Sequence, residues 1–389
     1  FELVCERSWI QPMLISLYFI GKMTGALVGG VFSDKFGRKP TFLIFNALQF
    51  IVTIAMSFVS DVTTYALALF ISGGTSLVNF MAANVLGLEL VAPQYRSLVY
   101  FFIDAGYSIG YMILPLFAYF LRDWRWFLRA TGLIGILYVP YYWLIDESPQ
   151  WLTSVGNNKK ARRIREKMAK FNGDQNLSNV KNVDKPDGDP DQGRLVVFLY
   201  ITKFQTVKRN FTYFYRIMVC MSYYVIALNA NNMGGNRFLN MFYGGLTELA
   251  ASIIFFMSVD VLGRRNSYSV VMSMAAVSIA VTPFLVLSIM TTMFSKLALS
   301  VAFAVIYTYS GELFPTTIRH SILAVLSSMG RVGSMVSPFV IHAGVSGDTI
   351  TPSLITATLI ALSAAAVMLL PETRNKTLPQ TAQQATAMK

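Results

Sequence analysis

Charge is scarce in this chain: only 13% of its 389 residues are Asp, Glu, Lys or Arg. A soluble domain carries about 25%, roughly twice as much. Cysteine and histidine are scarcer still, with two of each. Cys5 precedes the first long apolar run and Cys220 lies inside a later one, so a mutual disulfide is not expected. His320 and His342 have no metal-ligand spacing, and no Gly-x-x-x-x-Gly-Lys loop is present to cradle a phosphate. A metal site and an ATP-driven pump are thereby excluded. Neither an enzyme nor a bound cofactor is expected.

Apolar residues fill the space that charge leaves. They make up 54% of the chain and gather in runs near 20 residues, each long enough to cross a hydrocarbon core of about 30 Å as a helix. Barrel strands would read instead as short alternating segments. The composition therefore predicts an all-α polytopic membrane protein. Eleven spans are expected, over 11–33, 40–60, 64–91, 95–121, 124–145, 213–233, 236–259, 266–288, 292–313, 316–344 and 349–370. The net charge of +12 sits in the loops between them. That is the loop excess of Lys and Arg common in membrane proteins rather than a folded basic face, so nucleic acid is not an expected partner.

The longest polar stretch, 146–212, divides five spans from six. Its start, "NNKKARRIREKMAK", is basic and suits short surface helices, while "DGDPDQG" further on reads as linker. The expected organisation is 1–10 as the end of an extracellular loop, 11–145 as a first bundle, 146–212 as a central loop, 213–370 as a second bundle and 371–389 as a tail.

Three short motifs occur twice. "SDKFGRK" places Asp34, Gly37 and Arg38 as "VDVLGRR" places Asp260, Gly263 and Arg264. "ELVAPQYR" sets Glu89 seven residues before Arg96, as "ELFPTTIR" sets Glu312 seven before Arg319. "DESPQWL" carries Glu147 and "LPETRNKTLP" carries Glu372. The offsets are 226, 223 and 225 residues, so the halves read as homologous and parallel, a known transporter plan. In the second half two spans precede the glycine-basic turn, and in the first half only one does. One helix is therefore expected ahead of residue 1, giving two pseudo-symmetric six-helix bundles with eleven helices in this chain.

Loop charge orients the bundles. The turns at 34–39, 92–96, 146–212, 260–265 and 314–319 hold nearly all the inter-span Lys and Arg, so they are expected on the cytoplasmic side. Arg122 and Arg125 run against this pattern. The three Asn-x-Ser/Thr sites, at Asn176, Asn210 and Asn375, then fall on the cytoplasmic side and are not expected to be glycosylated. The basic residues suit topology, but acids contribute little to it. The repeated acids therefore suggest a network of ion pairs that holds the bundles closed on one side and releases as they rock. Its members are Asp34, Gly37, Arg38, Glu89, Arg96, Glu147, Asp260, Gly263, Arg264, Glu312, Arg319 and Glu372. Gly21, Gly25 and Gly29, and likewise Gly106 and Gly110, offer small-residue faces for close helix approach.

The Asp-x-x-Gly-Arg-[Arg/Lys] turn resembles that of the major facilitator superfamily. The ordered set "FELVCERSW", "LRDWRWF", "DESPQWL", "YYVIALNANNMGGN", "YTYSGELFPTTIRH" and "LPETRNKTLP" resembles the organic cation, organic anion and carnitine transporters within it. The resemblance covers residues 1–380. It implies the major facilitator fold, a first helix and a cysteine-bearing extracellular loop ahead of residue 1, and pairing of Cys5 within that loop. One departure is Gln150, where the family more often has a base. Sugar porters share the Glu-Ser-Pro stretch but carry paired glutamines where this chain has "YYVIALN".

Candidate substrate contacts come from charge inside spans, which costs about 2.5–3.5 kcal/mol per residue. Glu248 and Arg331 lie near mid-span. Lys296 and Arg237 lie near expected span ends, where they are read as snorkelling. Tyr223, Tyr224 and Asn229 sit within one span, and Phe303 and Tyr307, four apart, share a helix face. The resemblance places the family's pocket aromatics on these positions and its pocket serine on Ser327. The expected function is transport of small organic ions by alternating access, for carnitine-like zwitterions or organic anions. An organic cation is the alternative, and a non-transporting receptor or scaffold is the alternative of another class. The expected partners are the small organic ion, the lipid bilayer and a co-transported ion. The expected location is the plasma membrane.

Overall fold

A computed structural model describes residues 3, 5–91, 96–171, 206–229, 235–284, 288–313, 319–345 and 350–373. Among these the secondary structure is helical, with no strand. The helices are α1 (Ile10–Phe36), α2 (Arg38–Met56), α3 (Val62–Leu90), α4 (Arg96–Phe120), α5 (Trp124–Leu133), α6 (Tyr141–Leu144), α7 (Pro149–Ser154) and α8 (Asn158–Phe171). They continue as α9 (Thr206–Leu228), α10 (Arg237–Leu262), α11 (Arg264–Val281), α12 (Ser288–Leu313), α13 (Arg319–Val345) and α14 (Ile350–Met368).

Nine helices among the described residues are long and apolar enough to cross a membrane: α1 to α4, α9 to α12 and α14. Helix α13 has 27 residues, about 40 Å at 1.5 Å per residue, but it carries Arg331, His342 and several serines along that length. The span expected over 124–145 is α5, then a 3-10 turn at Ile134–Tyr138, then the short α6. Pro140 stands at this last junction, where its ring and missing N–H disfavour an unbroken helix. Large apolar side chains such as Phe102, Phe120, Phe256 and Met257 lie on the outside. Lipid is the solvent that tolerates such a surface.

Local chemistry sets the helix ends. Asp61 caps α3 by accepting from the Thr63 and Thr64 amides at 2.9 and 3.0 Å. Those bonds favour the charged form and lower the Asp61 pKa, chiefly through the Thr64 amide. Asn236 caps α10 through the Phe238 amide, and Ser148 caps α7 with Pro149 in the first turn. Gly37 separates α1 from α2 at φ 107°, and Gly263 separates α10 from α11 at φ 83°. Both values belong to a region that L side chains avoid, so these single-residue corners need glycine.

The described residues form two compact units. One comprises residues 1, 20–103 and 121–189, and the other 2–19, 104–120 and 190–389. In the first, α1 lies against α3 along Gly21, Gly25 and Gly29. A Cβ on these would meet the Phe70 carbonyl, the Gly74 backbone and, at 2.5 Å, Val78 Cγ2. The small-residue face is real there. Gly106 and Gly110 are a correction, since a Cβ on either would meet nothing within 4 Å. Gly132 and Gly135 seat α5 and the turn after it on Ile54 and Phe50 of α2. Helix α8 lays Ala161, Ile164 and Met168 on Trp151 and Leu152 of α7.

The second unit holds the larger core, with Tyr215, Val219, Tyr268, Met272, Leu299, Ile306, Leu326 and Ile360 all buried. Its polar atoms are satisfied locally. The Tyr268 hydroxyl meets Ser363 Oγ at 2.7 Å, and Tyr309 donates to the Pro371 carbonyl at 2.6 Å. Helices α9 and α13 approach closely where Gly330 and Gly333 face Cys220 and the Ile217 carbonyl. The expected linker at 172–205 and the tail from 374 onward lie outside the described residues.

Candidate functional site

The glycine corners organise the repeated charges. In the first unit Glu147 Oε1 accepts from the Arg38, Lys39 and Ser148 amides at 3.1, 3.1 and 2.8 Å. It so caps the start of α2, whose free amides attract an anion. The Arg38 side chain donates to Asp34 at 2.7 Å and approaches Glu89 at 3.5 Å. In the second unit Glu372 accepts from the Arg264, Arg265 and Thr373 amides at 2.9, 3.1 and 2.9 Å. Arg264 pairs with Glu312 at 3.2 Å, and Thr373 donates to the other Glu312 oxygen at 2.6 Å. Sequence repetition thus becomes repeated geometry. An arginine beside the glycine binds the acid at the end of the third or the twelfth helix, and a distant glutamate caps the next helix. A Cβ at Gly37 would collide with Glu147, and one at Gly263 would come within 2.9 Å of Glu372. The printed contacts of these residues lie within their own unit. The side chains of Arg96, Asp260 and Arg319 lie outside the described residues.

The candidate substrate contacts all belong to the second unit. Tyr223 of α9 donates to Glu248 of α10 at 2.6 Å. Its ring lies 5.5 Å from that of Phe303 on α12, which in turn lies 5.3 Å from Tyr307. Tyr224 accepts from Arg331 of α13 at 3.4 Å, and its ring meets Phe19 of α1 edge-on at 4.6 Å. Ser327 is half-buried one turn before Arg331, and Asn229 is half-buried just past the end of α9. Seven of the eight residues are therefore tied by contact or by one helical turn. Asn229 is the eighth.

Three members were not read from the sequence as site residues. Lys296 does not snorkel: it is 3% exposed, donates to the Gly244 carbonyl at 2.9 Å and lies 3.7 Å from Glu248. It also sits 4.4 Å over the ring of Tyr111, on α4. The reason for the correction is the helix start. Helix α12 begins at Ser288 rather than 292, which puts Lys296 two turns inside. Arg216 is the second, fully buried on α9 with its guanidinium 3.8 Å from the Tyr307 ring centre. Helix α9 begins at Thr206 rather than 213, so Arg216 is also well inside. Asp104 of α4 is the third, accepting from Ser252 Oγ, which bonds the Glu248 carbonyl as well. A charged residue inside an apolar run was the available signal. An early helix end hid the first two.

The site has a division of charge. Glu248 is engaged by a lysine and a phenol. Arg331 is 8% exposed and has no carboxylate within ion-pair reach among the described residues, and its Nε is buried without a hydrogen-bond partner.

Comparison with known proteins bears on both clusters. A family model described as sugar (and other) transporter matches residues 5–384. The chain is 31% identical to an organic cation transporter protein of Drosophila melanogaster, over 98% of this chain and 72% of that one. It is 29% identical to organic cation/carnitine transporter 2 of Homo sapiens, over 98% and 70%. Among solved structures, the inward open xylose transporter XylE from E. coli superposes with a TM-score of 0.73 at 18% identity, covering 94% of this chain and 87% of that one. This last likeness concerns the fold alone.

Proposed function

Because the chain belongs to the sugar (and other) transporter family of the major facilitator superfamily, beside the organic cation and carnitine carriers, we propose that it carries small organic ions by alternating access and that its substrate bears a carboxylate. The observation that supports this reading is the uneven balance of the central charges. Lys296 and the Tyr223 hydroxyl offset Glu248, whereas the Arg331 guanidinium faces only the Tyr224 hydroxyl. A buried arginine stays charged and has to be offset. A substrate carboxylate supplies that offset through charge-assisted hydrogen bonds. Tyr223, Tyr224, Phe303 and Tyr307 supply ring faces for the apolar or ammonium end, with Ser327 and Asn229 as further polar contacts. A zwitterion or a monovalent organic anion fits this arrangement.

A second reading, an organic cation, is favoured by Glu248 among aromatics and by the names of the relatives. The lysine beside that carboxylate weakens it. The charged turns fit a gate on the cytoplasmic side, with the central loop and the tail on that side and the protein in the plasma membrane. These placements rest on loop charge. The test is uptake of labelled carnitine, benzoate and tetraethylammonium by cells expressing the full chain, with and without Arg331→Ala. Carboxylate uptake that falls about tenfold or more in the variant, at equal surface amount, is the expected result. Uptake of tetraethylammonium alone, unchanged by the substitution, would overturn the reading.

A further inference from the structure

The buried guanidinium of Arg216 belongs to none of the charge pairs described above. Its residue is 0% exposed, and Nε, Nη1 and Nη2 all lack a hydrogen-bond partner. Five N–H donors are thus unused among the described residues, whereas buried polar groups are normally bonded. The Tyr307 ring at 3.8 Å receives one face of the guanidinium plane and leaves its edge, where the donors point, to something else.

Arg331 is the near neighbour with the same deficit. A Cβ on the adjacent Gly330 would lie 2.7 Å from Cys220 Sγ and 3.7 Å from the Arg216 carbonyl, so the Gly330–Arg331 step of α13 packs on the Arg216–Cys220 turn of α9. Cys220 feels the charge of both guanidinium groups, and Arg331 feels Tyr307, the residue on which Arg216 stacks. Two like charges held this close inside an apolar bundle repel each other unless an anion joins them. The acids nearby do not serve. Glu248 pairs with Lys296, Asp104 is bonded by Ser252, and Glu312 pairs with Arg264.

We propose that Arg216 and Arg331 form one anion subsite, with the ring of Tyr307 as its wall, and that this subsite takes the carboxylate of the transported ion. The proposal rests on the reading of the chain as a carrier of carboxylate-bearing ions and adds a binding residue to it. Two planar forks around one carboxylate satisfy donors that otherwise have none. A simple alkylammonium gains nothing from this subsite and is repelled by it.

The experiment measures ligand-dependent thermal stabilisation of the purified full chain with benzoate, with benzamide as its uncharged isostere and with tetraethylammonium. Arg216→Gln and Arg216→Lys are compared with the parent. Benzoate is expected to stabilise the parent well below the concentration at which benzamide does. In Arg216→Gln its half-saturating concentration should rise about tenfold or more. In Arg216→Lys, which keeps the charge and loses the fork, the rise should be smaller. Should Arg216→Gln fail to fold, the lysine variant carries the test. Benzoate curves that coincide for the parent and for a folded variant would overturn the subsite and leave Arg216 as packing. If none of the three probes stabilises the parent, and cells also fail to take up carnitine and benzoate, the underlying carrier reading falls too. That outcome is distinct from uptake that persists but ignores Arg216.

Discussion

Around Glu147 and Glu372 each carboxylate meets three backbone amides, with an arginine nearby already paired to another acid. Around Arg331 and Arg216 the reverse holds, with buried guanidinium nitrogens lacking partners among the described residues. The first kind of cluster occurs twice, at nearly one sequence offset. The second occurs once. The contrast separates charge that builds the fold from charge that awaits a ligand: the former is internally balanced and symmetric, the latter unbalanced and asymmetric. An ion pair closed by capping bonds gives the helix corner a fixed geometry. An arginine held only by a phenol and a ring keeps its attraction for an incoming anion.

Removing a cap is the strongest way to break the comparison. Glu372→Ala strips three charge-assisted bonds from a partly buried helix start, so it should lower stability by about 3–5 kcal/mol. A detergent-solubilised thermal melt and the surface amount in cells would both report the loss, and a wild-type melt would mean the cluster is not structural. Glu147→Ala should behave the same way, because its geometry repeats that of Glu372. The glycine corners come next. Gly37→Ala and Gly263→Ala force a side chain into positive φ and against a glutamate, at about 1–3 kcal/mol each. Comparable losses at the two sites sharpen the repeat, while a loss at one site alone breaks it.

Arg331→Gln should leave the melt within about 1 kcal/mol of the parent, since the substitution also removes an unpaired buried charge. A collapse in the melt would place Arg331 with the turn residues. The smallest effect belongs to Asp34→Asn. Its side chain is 76% exposed in the pair with Arg38, so the exchange should cost about 0–1 kcal/mol. Any larger change in transport rate at normal abundance would reveal a gating role for Asp34 beyond this contact.

Much of this was legible in the sequence. Asp34, Glu89 and Glu147 announce their partners because Asp260, Glu312 and Glu372 repeat the spacing, and repetition is independent of where a helix starts. Ten expected spans match single helices, because apolar runs near 20 residues leave few alternatives. The site was harder. Glu248, Arg331 and the aromatics stand in the middle of their runs and could be singled out. Lys296 and Arg216 could not, because each follows a stretch polar enough to look like a helix end. Helices α9 and α12 extend into those stretches, and their polar first turns do not alter the helical geometry behind them. Hydropathy finds the apolar core of a span better than its boundary. Which charges pair was beyond sequence altogether, since Glu248 and Lys296 meet across 48 residues on different helices.

The most direct test sets the paired central charges against the unpaired one. Initial uptake of labelled benzoate is measured at equal surface amount for the parent, for the double variant Glu248→Gln/Lys296→Met, and for Arg331→Gln. The account predicts that the double variant, which removes a charge pair whose net contribution is zero, still takes up the carboxylate, while Arg331→Gln loses about tenfold or more. Uptake that survives in Arg331→Gln and disappears in the double variant would contradict it.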